Sequence, residues 1–116
     1  MRKMHTFAAL ALMALIALPV FAETDDQRLE ACRAKLTKAH ELQVLYDLDW
    51  QKGKLPKVVV GPTFYQIAFD AKDGFAQTVN CFLMAGATDK YINFDLLDWR
   101  TNKVVARYSY GTLKVE

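Results

Sequence analysis

The chain has 116 residues, of which 53% are hydrophobic and 24% are charged, and its formal net charge is +2. Arg2 and Lys3 account for this excess, so the chain beyond residue 22 carries 13 basic and 13 acidic residues. A nucleic-acid-binding protein normally has a strongly basic face, so this balance argues against nucleic acid as a partner.

Residues 1–22 have the layout of a secretory signal peptide. A short basic start leads into an apolar run over residues 7–18, and Pro19 ends that run. Small residues then stand three and one positions before Glu23, as a signal-peptide cleavage site requires. The run is shorter than the roughly 20 residues that span a bilayer, which favours a cleaved signal over an uncleaved membrane anchor. We therefore predict cleavage after Ala22 and no stable membrane anchor afterwards.

The remaining part, residues 23–116, is long enough for one small domain with a modest core. It contains two cysteines, Cys32 and Cys81. An even number of cysteines in a small exported domain favours a disulfide, because the protein meets an oxidising compartment. The chain has no Asn-x-Ser/Thr sequence, so N-glycosylation gives no support for a eukaryotic origin. We expect a periplasmic or secreted bacterial protein with a Cys32–Cys81 bridge.

The first predicted element after the signal is a helix over residues 25–45. Thr24 and Gln27 have the spacing of a capping box. Apolar residues then recur at spacings of three and four up to Ala39, which is typical of an amphipathic helix. The end of the helix is less well defined, because residues 42–50 fit both helical and alternating spacings.

Shorter elements follow in the middle of the chain. Residues 51–57 contain Gly53 and Pro56 and are predicted to form a loop. The β-branched run over residues 57–60 predicts a buried strand, which Gly61 ends. Residues 63–69 are ambiguous and are compatible with one helical turn.

A second helix is predicted over residues 71–85, with Asp70 as its N-cap and Gly86 at its C-terminal end. One of its stripes is bulky and suits a sheet. The other stripe consists of small residues: Gly74, Thr78, Cys81 and Ala85. A glycine inside a helix costs about 1 kcal/mol relative to alanine, so we expect Gly74 to allow close packing against the first helix.

The C-terminal part has the pattern of strands. Residues 91–97 and 104–110 both alternate, and Asn102 stands in the polar stretch between them, where a tight turn needs a positive φ. Residues 112–115 fit a last short strand. The predicted fold class is α+β, with two helices packed on one face of a small, largely antiparallel sheet that has a C-terminal β-hairpin.

Residues that carry chemistry are few beyond the signal. His40 is the one histidine there and Ser109 the one serine, so neither a catalytic triad nor a set of three or four zinc ligands is indicated. The acidic residues form three close pairs, which are Asp47 with Asp49, Asp70 with Asp73, and Asp95 with Asp98. Paired carboxylates can catalyse glycoside hydrolysis, but each pair here has a simpler place in a cap, a turn or a solvent-facing strand. We predict no catalytic, cofactor-binding or metal-binding residues.

Aromatic residues are the remaining candidates for a contact surface, since they are enriched at protein interfaces. The candidates are Trp50, Tyr65, Trp99, Tyr108 and Tyr110. In so small a domain most of them are expected in the core. Trp99 and its neighbour Arg100 stand at the predicted hairpin corner, where residues tend to be exposed, and are the predicted surface contacts.

These observations favour a small, exported, non-enzymatic binding or accessory module that acts on another envelope protein. An inhibitor or immunity protein is a narrower version of the same hypothesis. Two alternatives stay open: a small hydrolase that works through carboxylates, and a structural subunit of an envelope assembly.

Overall fold

The structure is a computed structural model that describes residues 22–51 and 53–116. The elements in this part of the chain are α1 (Asp25–Glu41), β1 (Leu45–Asp49), β2 (Lys57–Val60), a 3₁₀ helix (Pro62–Gln66), α2 (Phe69–Leu83), β3 (Phe94–Asp98), β4 (Val104–Ser109) and β5 (Thr112–Val115). They form the predicted α+β fold. The predicted signal peptide lies outside the described residues except for Ala22, so its cleavage stays a prediction.

The five strands form one sheet in the order β1-β2-β3-β4-β5. Neighbouring strands are antiparallel except β2 and β3, which are parallel. A parallel pair needs a long crossover connection, and α2 lies in that connection. Strands β3 and β4 form the predicted hairpin, and β4 and β5 form a second one.

One face of the sheet carries the apolar side chains of the core, because alternate residues of a strand point to the same side. The buried residues of this face include Val58, Val60, Phe94, Leu96, Ala106, Tyr108 and Leu113. Helix α2 covers them with Phe75, Val79 and Leu83 of its predicted bulky stripe, whereas Phe82, the fourth residue of that stripe, is only partly buried. Helix α1 contributes only Leu36 as a buried residue, so it forms the outer part of the helical layer.

Helix α1 begins as predicted and ends earlier than predicted. The Thr24 hydroxyl accepts a hydrogen bond from Gln27 N, and Gln27 Oε1 accepts one from Thr24 N, which confirms the capping box. The helix ends at Glu41, and Gln43 has a φ of 63°, which is incompatible with a continuing helix. The predicted end at residue 45 was wrong because residues 45–49 pair with β2.

Helix α2 begins two residues before the predicted start, and Ala68 is its N-cap. The prediction of Asp70 as N-cap was wrong, since Asp70 lies in the first turn, where its charge still favours the positive end of the helix dipole. At the other end Gly86 has a φ of 85°, and its amide donates to Cys81 O. A Cβ at Gly86 would collide with Asp25 O, so glycine is required where the two helix ends meet.

The disulfide between Cys32 and Cys81 joins α1 to α2, with Cα atoms 6.2 Å apart. This confirms the predicted bridge and fits an oxidising compartment. The packing role predicted for Gly74 was wrong. Gly74 is exposed, and a Cβ there would meet no atom within 4 Å.

Candidate functional site

The corner of the β3–β4 hairpin is organised by Asp98, the last residue of β3. Its side chain is buried, with 6% of the residue exposed. Oδ2 accepts hydrogen bonds from Arg100 N at 3.0 Å and from Thr101 N at 2.9 Å, and also from the Thr101 hydroxyl at 3.0 Å. Asn102 N donates to Asp98 O, and Asn102 has a φ of 63°, which confirms the predicted positive φ. The turn is therefore closely fixed by one carboxylate.

The second oxygen of Asp98 joins this turn to the 3₁₀ helix. The Tyr65 hydroxyl donates a hydrogen bond to Asp98 Oδ1. This bond, together with those from the turn, lowers the pKa of Asp98 to about 2 from its ordinary 3.8. The pKa of Tyr65 is raised to about 12, mainly by partial burial and to a smaller extent by the hydrogen bond to Asp98. Tyr65 is held in place by Phe64, a core residue whose ring it meets edge-on at 5.6 Å.

Trp99 follows Asp98 and lies between two other side chains. Its ring centroid is 5.9 Å from that of Tyr65, at an interplanar angle of 44°. The guanidinium of Arg100 lies 4.7 Å from the centroid of the Trp99 ring. A cation over an indole at this distance is attracted by the ring quadrupole. Trp99 is half-buried and Arg100 is exposed, so both predicted contact residues reach the surface together.

Trp99 borders a groove of about 640 Å³. The groove is lined by His40, Gln43, Leu45, Tyr46, Asp47, Pro62 and Trp99. It therefore brings together the end of α1, the start of β1, the start of the 3₁₀ helix and the hairpin corner. We refer to Tyr46, Tyr65, Trp99 and Arg100 as the aromatic corner.

Two local features of the backbone shape this groove. The β1–β2 register shifts between Leu45 and Asp47, so Tyr46 is an extra residue that the ladder does not pair. A bulge of this kind turns a side chain away from the sheet, and Tyr46 is 54% exposed. Gly61 lies against the carbonyl of Gln43, which a Cβ at position 61 would strike. Glycine is therefore required there for the loop before β1 to approach the end of β2.

The other aromatic candidates lie elsewhere. Tyr108 is fully buried, and its hydroxyl donates to Gln77 Oε1 at 2.8 Å, so it belongs to the core. Tyr110 is 85% exposed at the β4–β5 turn, at the opposite end of β4 from Trp99. Trp50 follows β1 and is 36% exposed. Of the five aromatic candidates, only Tyr65 and Trp99 come together.

Asp95 and Asp98 are not brought together as a pair of carboxylates. Asp95 and Asp98 are three residues apart in β3 and so point to opposite faces of the sheet. Asp95 is exposed and lies 3.8 Å from Arg107 Nε. A carboxyl with a lowered pKa, such as Asp98, is a poor general acid at neutral pH. Asp47 is exposed in the groove beside His40.

Sequence reasoning missed Tyr46 and the groove itself. The bulge that exposes Tyr46 depends on pairing with β2, and no local pattern indicates it. The hydrogen bonds of the hairpin turn did have a local signal in the sequence, which is Asp98 before the turn and Thr101 three residues later.

Within residues 22–51 and 53–116, the structure brings together no group of three or more histidine, cysteine, aspartate or glutamate side chains that could hold a metal ion. Among these residues, none of the helices has the length and apolar composition that a membrane span requires. Comparison of the chain with known protein families, with curated proteins and with solved structures gave no match.

Proposed function

We propose that the protein is an exported, non-enzymatic accessory module that binds another protein of the bacterial envelope through the aromatic corner. The observation that carries this proposal is the arrangement of Trp99 and Arg100 beside the groove. Tryptophan, tyrosine and arginine are the residues that most often dominate the binding energy of an interface.

Part of the aromatic corner is fixed by contacts within the protein. Asp98 fixes the turn that carries Trp99 and Arg100, and it also bonds to Tyr65. Side chains that are already ordered lose little conformational entropy on binding. An aromatic surface that is partly fixed in this way, next to a groove, is therefore suited to recognising a complementary protein.

The envelope location rests on the signal-like sequence of residues 1–22 and on the disulfide. An inhibitor or immunity protein fits this proposal as its narrower version. A test of export is the intact mass of the protein recovered from the periplasmic fraction, for which we expect a chain that begins at Glu23. A full-length chain that remains with the membrane would contradict cleavage after Ala22 and release from the membrane.

The binding proposal is tested with the purified protein and a periplasmic extract of the source bacterium. Proteins that co-purify after chemical cross-linking are identified by mass spectrometry, and each is then purified and titrated against the module. We expect Trp99→Ala to weaken binding by roughly 30-fold or more, as for a hot-spot residue worth about 2 kcal/mol. Arg100→Ala is expected to weaken it in the same direction.

Tyr110→Ala is the matched control, since Tyr110 is an exposed aromatic residue of a turn at the far end of β4. We expect it to leave binding unchanged. A partner that binds the Trp99→Ala variant as tightly as the parent would contradict the assignment of the surface. Stable self-association at low concentration would instead favour the structural-subunit alternative.

A further inference from the structure

A second groove, separate from the aromatic corner, lies between the C-terminal half of α1 and the N-terminal half of α2. Its lining includes Lys35 and Lys38 of α1 and Ala71, Phe75 and Thr78 of α2, and its volume is about 260 Å³. We propose that this interhelical groove binds the hydrocarbon chain of a single-chain amphiphile with an anionic head group. The proposal does not depend on the function proposed for the aromatic corner.

The floor of the interhelical groove is apolar. Val44 and Phe75 belong to the hydrophobic core, and Ile67 packs against it. Leu42, on the edge of the groove, is 53% exposed. A ligand that covers apolar surface of this kind removes it from water, which favours binding.

The interhelical groove lies towards the end of the two helices that the disulfide does not join. At the C-terminal end of α2 the disulfide and the contact of Gly86 with Asp25 hold the helices together. Towards the other end α2 presents Ala71 and Thr78 to the groove, and these small side chains leave it unfilled. The volume is below the roughly 300 to 1,000 Å³ of sites for drug-sized ligands, so a narrow chain fits better than a fused-ring molecule.

The positive charge at the edge of the interhelical groove indicates that the head group of the ligand is anionic. The two charged residues that line it, Lys35 and Lys38, are both basic and stand three residues apart on α1. Residues three apart on a helix lie on the same side, so both ammonium groups can reach one ligand. Lys38 Nζ lies 3.6 Å from Glu41, whereas Lys35 forms no ion pair with any residue that the structure describes. An anionic head group would therefore be attracted towards Lys35.

The test uses the protein purified from the periplasm and monomeric octanoate, decanoate and dodecanoate, each titrated by calorimetry below its micelle-forming concentration. We expect saturable binding that tightens roughly fourfold for each added methylene until the groove is filled, the factor that corresponds to about 0.8 kcal/mol. Dodecyltrimethylammonium, which has the opposite charge, is expected to bind more weakly than dodecanoate. Amide chemical shifts should change at Ala39, Ala71 and Thr78 and stay constant at Trp99.

A larger side chain that fills the interhelical groove should prevent binding of the hydrocarbon chain. Ala71→Leu places a larger side chain in the groove, and we expect it to weaken dodecanoate binding at least tenfold. Ala34→Leu is the matched control, because Ala34 is an exposed helical alanine that does not line the groove. Lys35→Glu should weaken binding by up to roughly fivefold, the range of an exposed ion pair. Lys90→Glu, a charge reversal outside the groove, should have no effect.

Four results would overturn the proposal. They are the absence of saturable dodecanoate binding, equal binding by Ala71→Leu and the parent, binding to anionic phospholipid vesicles without binding to the monomeric amphiphile, and a dimer that Ala71→Leu disrupts. The last result would assign the interhelical groove to a second copy of the chain. Melting curves of both alanine variants establish that any lost binding does not come from unfolding.

Discussion

The hydroxyl of Tyr65 donates a hydrogen bond to the carboxylate of Asp98, which joins the 3₁₀ helix to the corner of the β3–β4 hairpin. These residues are 33 positions apart, so the bond depends on the β2–β3 pairing that places Val60 opposite Asp98. The same carboxylate fixes the turn that presents Trp99. The stability of the fold and the geometry of the aromatic corner therefore both depend on one ionisable group, the carboxylate of Asp98.

This group should make stability depend on pH. The folded-state pKa of Asp98 is about 2, below its ordinary 3.8. A lowered pKa contributes stability that is present above pH 4 and is lost as the pH falls towards 2. Tyr65→Phe removes the hydrogen-bond donor, so we expect a lower melting temperature at pH 7 and a smaller difference from the parent near pH 2. Thermal melts followed by circular dichroism between pH 2 and pH 7 measure this.

Tyr110→Phe is the control for that experiment, because Tyr110 is almost fully exposed and far from Asp98. It should melt like the parent throughout the pH range. A Tyr65→Phe variant whose difference from the parent is constant from pH 7 to pH 2 would show that the bond to Asp98 does not set the pKa.

The positive φ at Asn102 gives a second prediction. Glycine adopts a φ of 63° without steric cost, so Asn102→Gly should be neutral or stabilising. Valine is strained there, and we expect Asn102→Val to cost roughly 1 kcal/mol or more. For a domain of this size that loss lowers the melting temperature by about 4 to 8 °C. Equal melting temperatures for Asn102→Val and the parent would exclude a strained turn at this position.

Two glycines should respond to alanine in opposite ways. Gly61→Ala forces a methyl group against the Gln43 carbonyl, and we expect a loss of about 1 to 3 kcal/mol in the free energy of unfolding. Gly74→Ala meets open space in the middle of α2 and should stabilise by about 0.5 to 1 kcal/mol. Urea titrations of both variants give the two signs. A Gly61→Ala variant as stable as the parent would mean that contact with Gln43 is not what requires glycine at position 61, and a destabilised Gly74→Ala would contradict the open space at position 74.

The disulfide should supply a large part of the total stability. It closes a loop with a sequence separation of 49, for which the chain-entropy estimate is about 4 kcal/mol. Because bridges often deliver less, we expect Cys32→Ser to lose about 2 to 4 kcal/mol, to be compared with 5 to 15 kcal/mol for a typical domain. The Cys32→Ser/Cys81→Ser variant is the control for effects of a free thiol. An unchanged urea midpoint in both variants would contradict this role.

Several features could be predicted from the sequence because they depend on neighbouring residues. The capping box needs only Thr24 and Gln27, and the positive φ at Asn102 follows from the polar turn between two alternating segments. The bulky stripe of α2 likewise indicated the surface that covers the sheet, and the two cysteines indicated where the helices are joined. Trp99 and Arg100 were placed at the surface by their position in the hairpin corner.

Other features were decided by contacts between distant segments. Residues 42–50 fit a helix or a strand almost equally well, and pairing with β2 made residues 45–49 the strand β1. The same pairing produced the bulge that exposes Tyr46. In the sequence Gly61 only marks the end of a predicted strand. In the structure glycine is required at this position because Gln43, which is 18 residues away in the chain, lies directly against it. The sequence by itself determined the capping box of α1, the hairpin and the cysteine pair, since these depend on local backbone preferences and hydrophobic periodicity. Only the tertiary structure decided the position and shape of the two grooves. A groove depends on the distance between helices and strands that pack together, and single side chains set that distance.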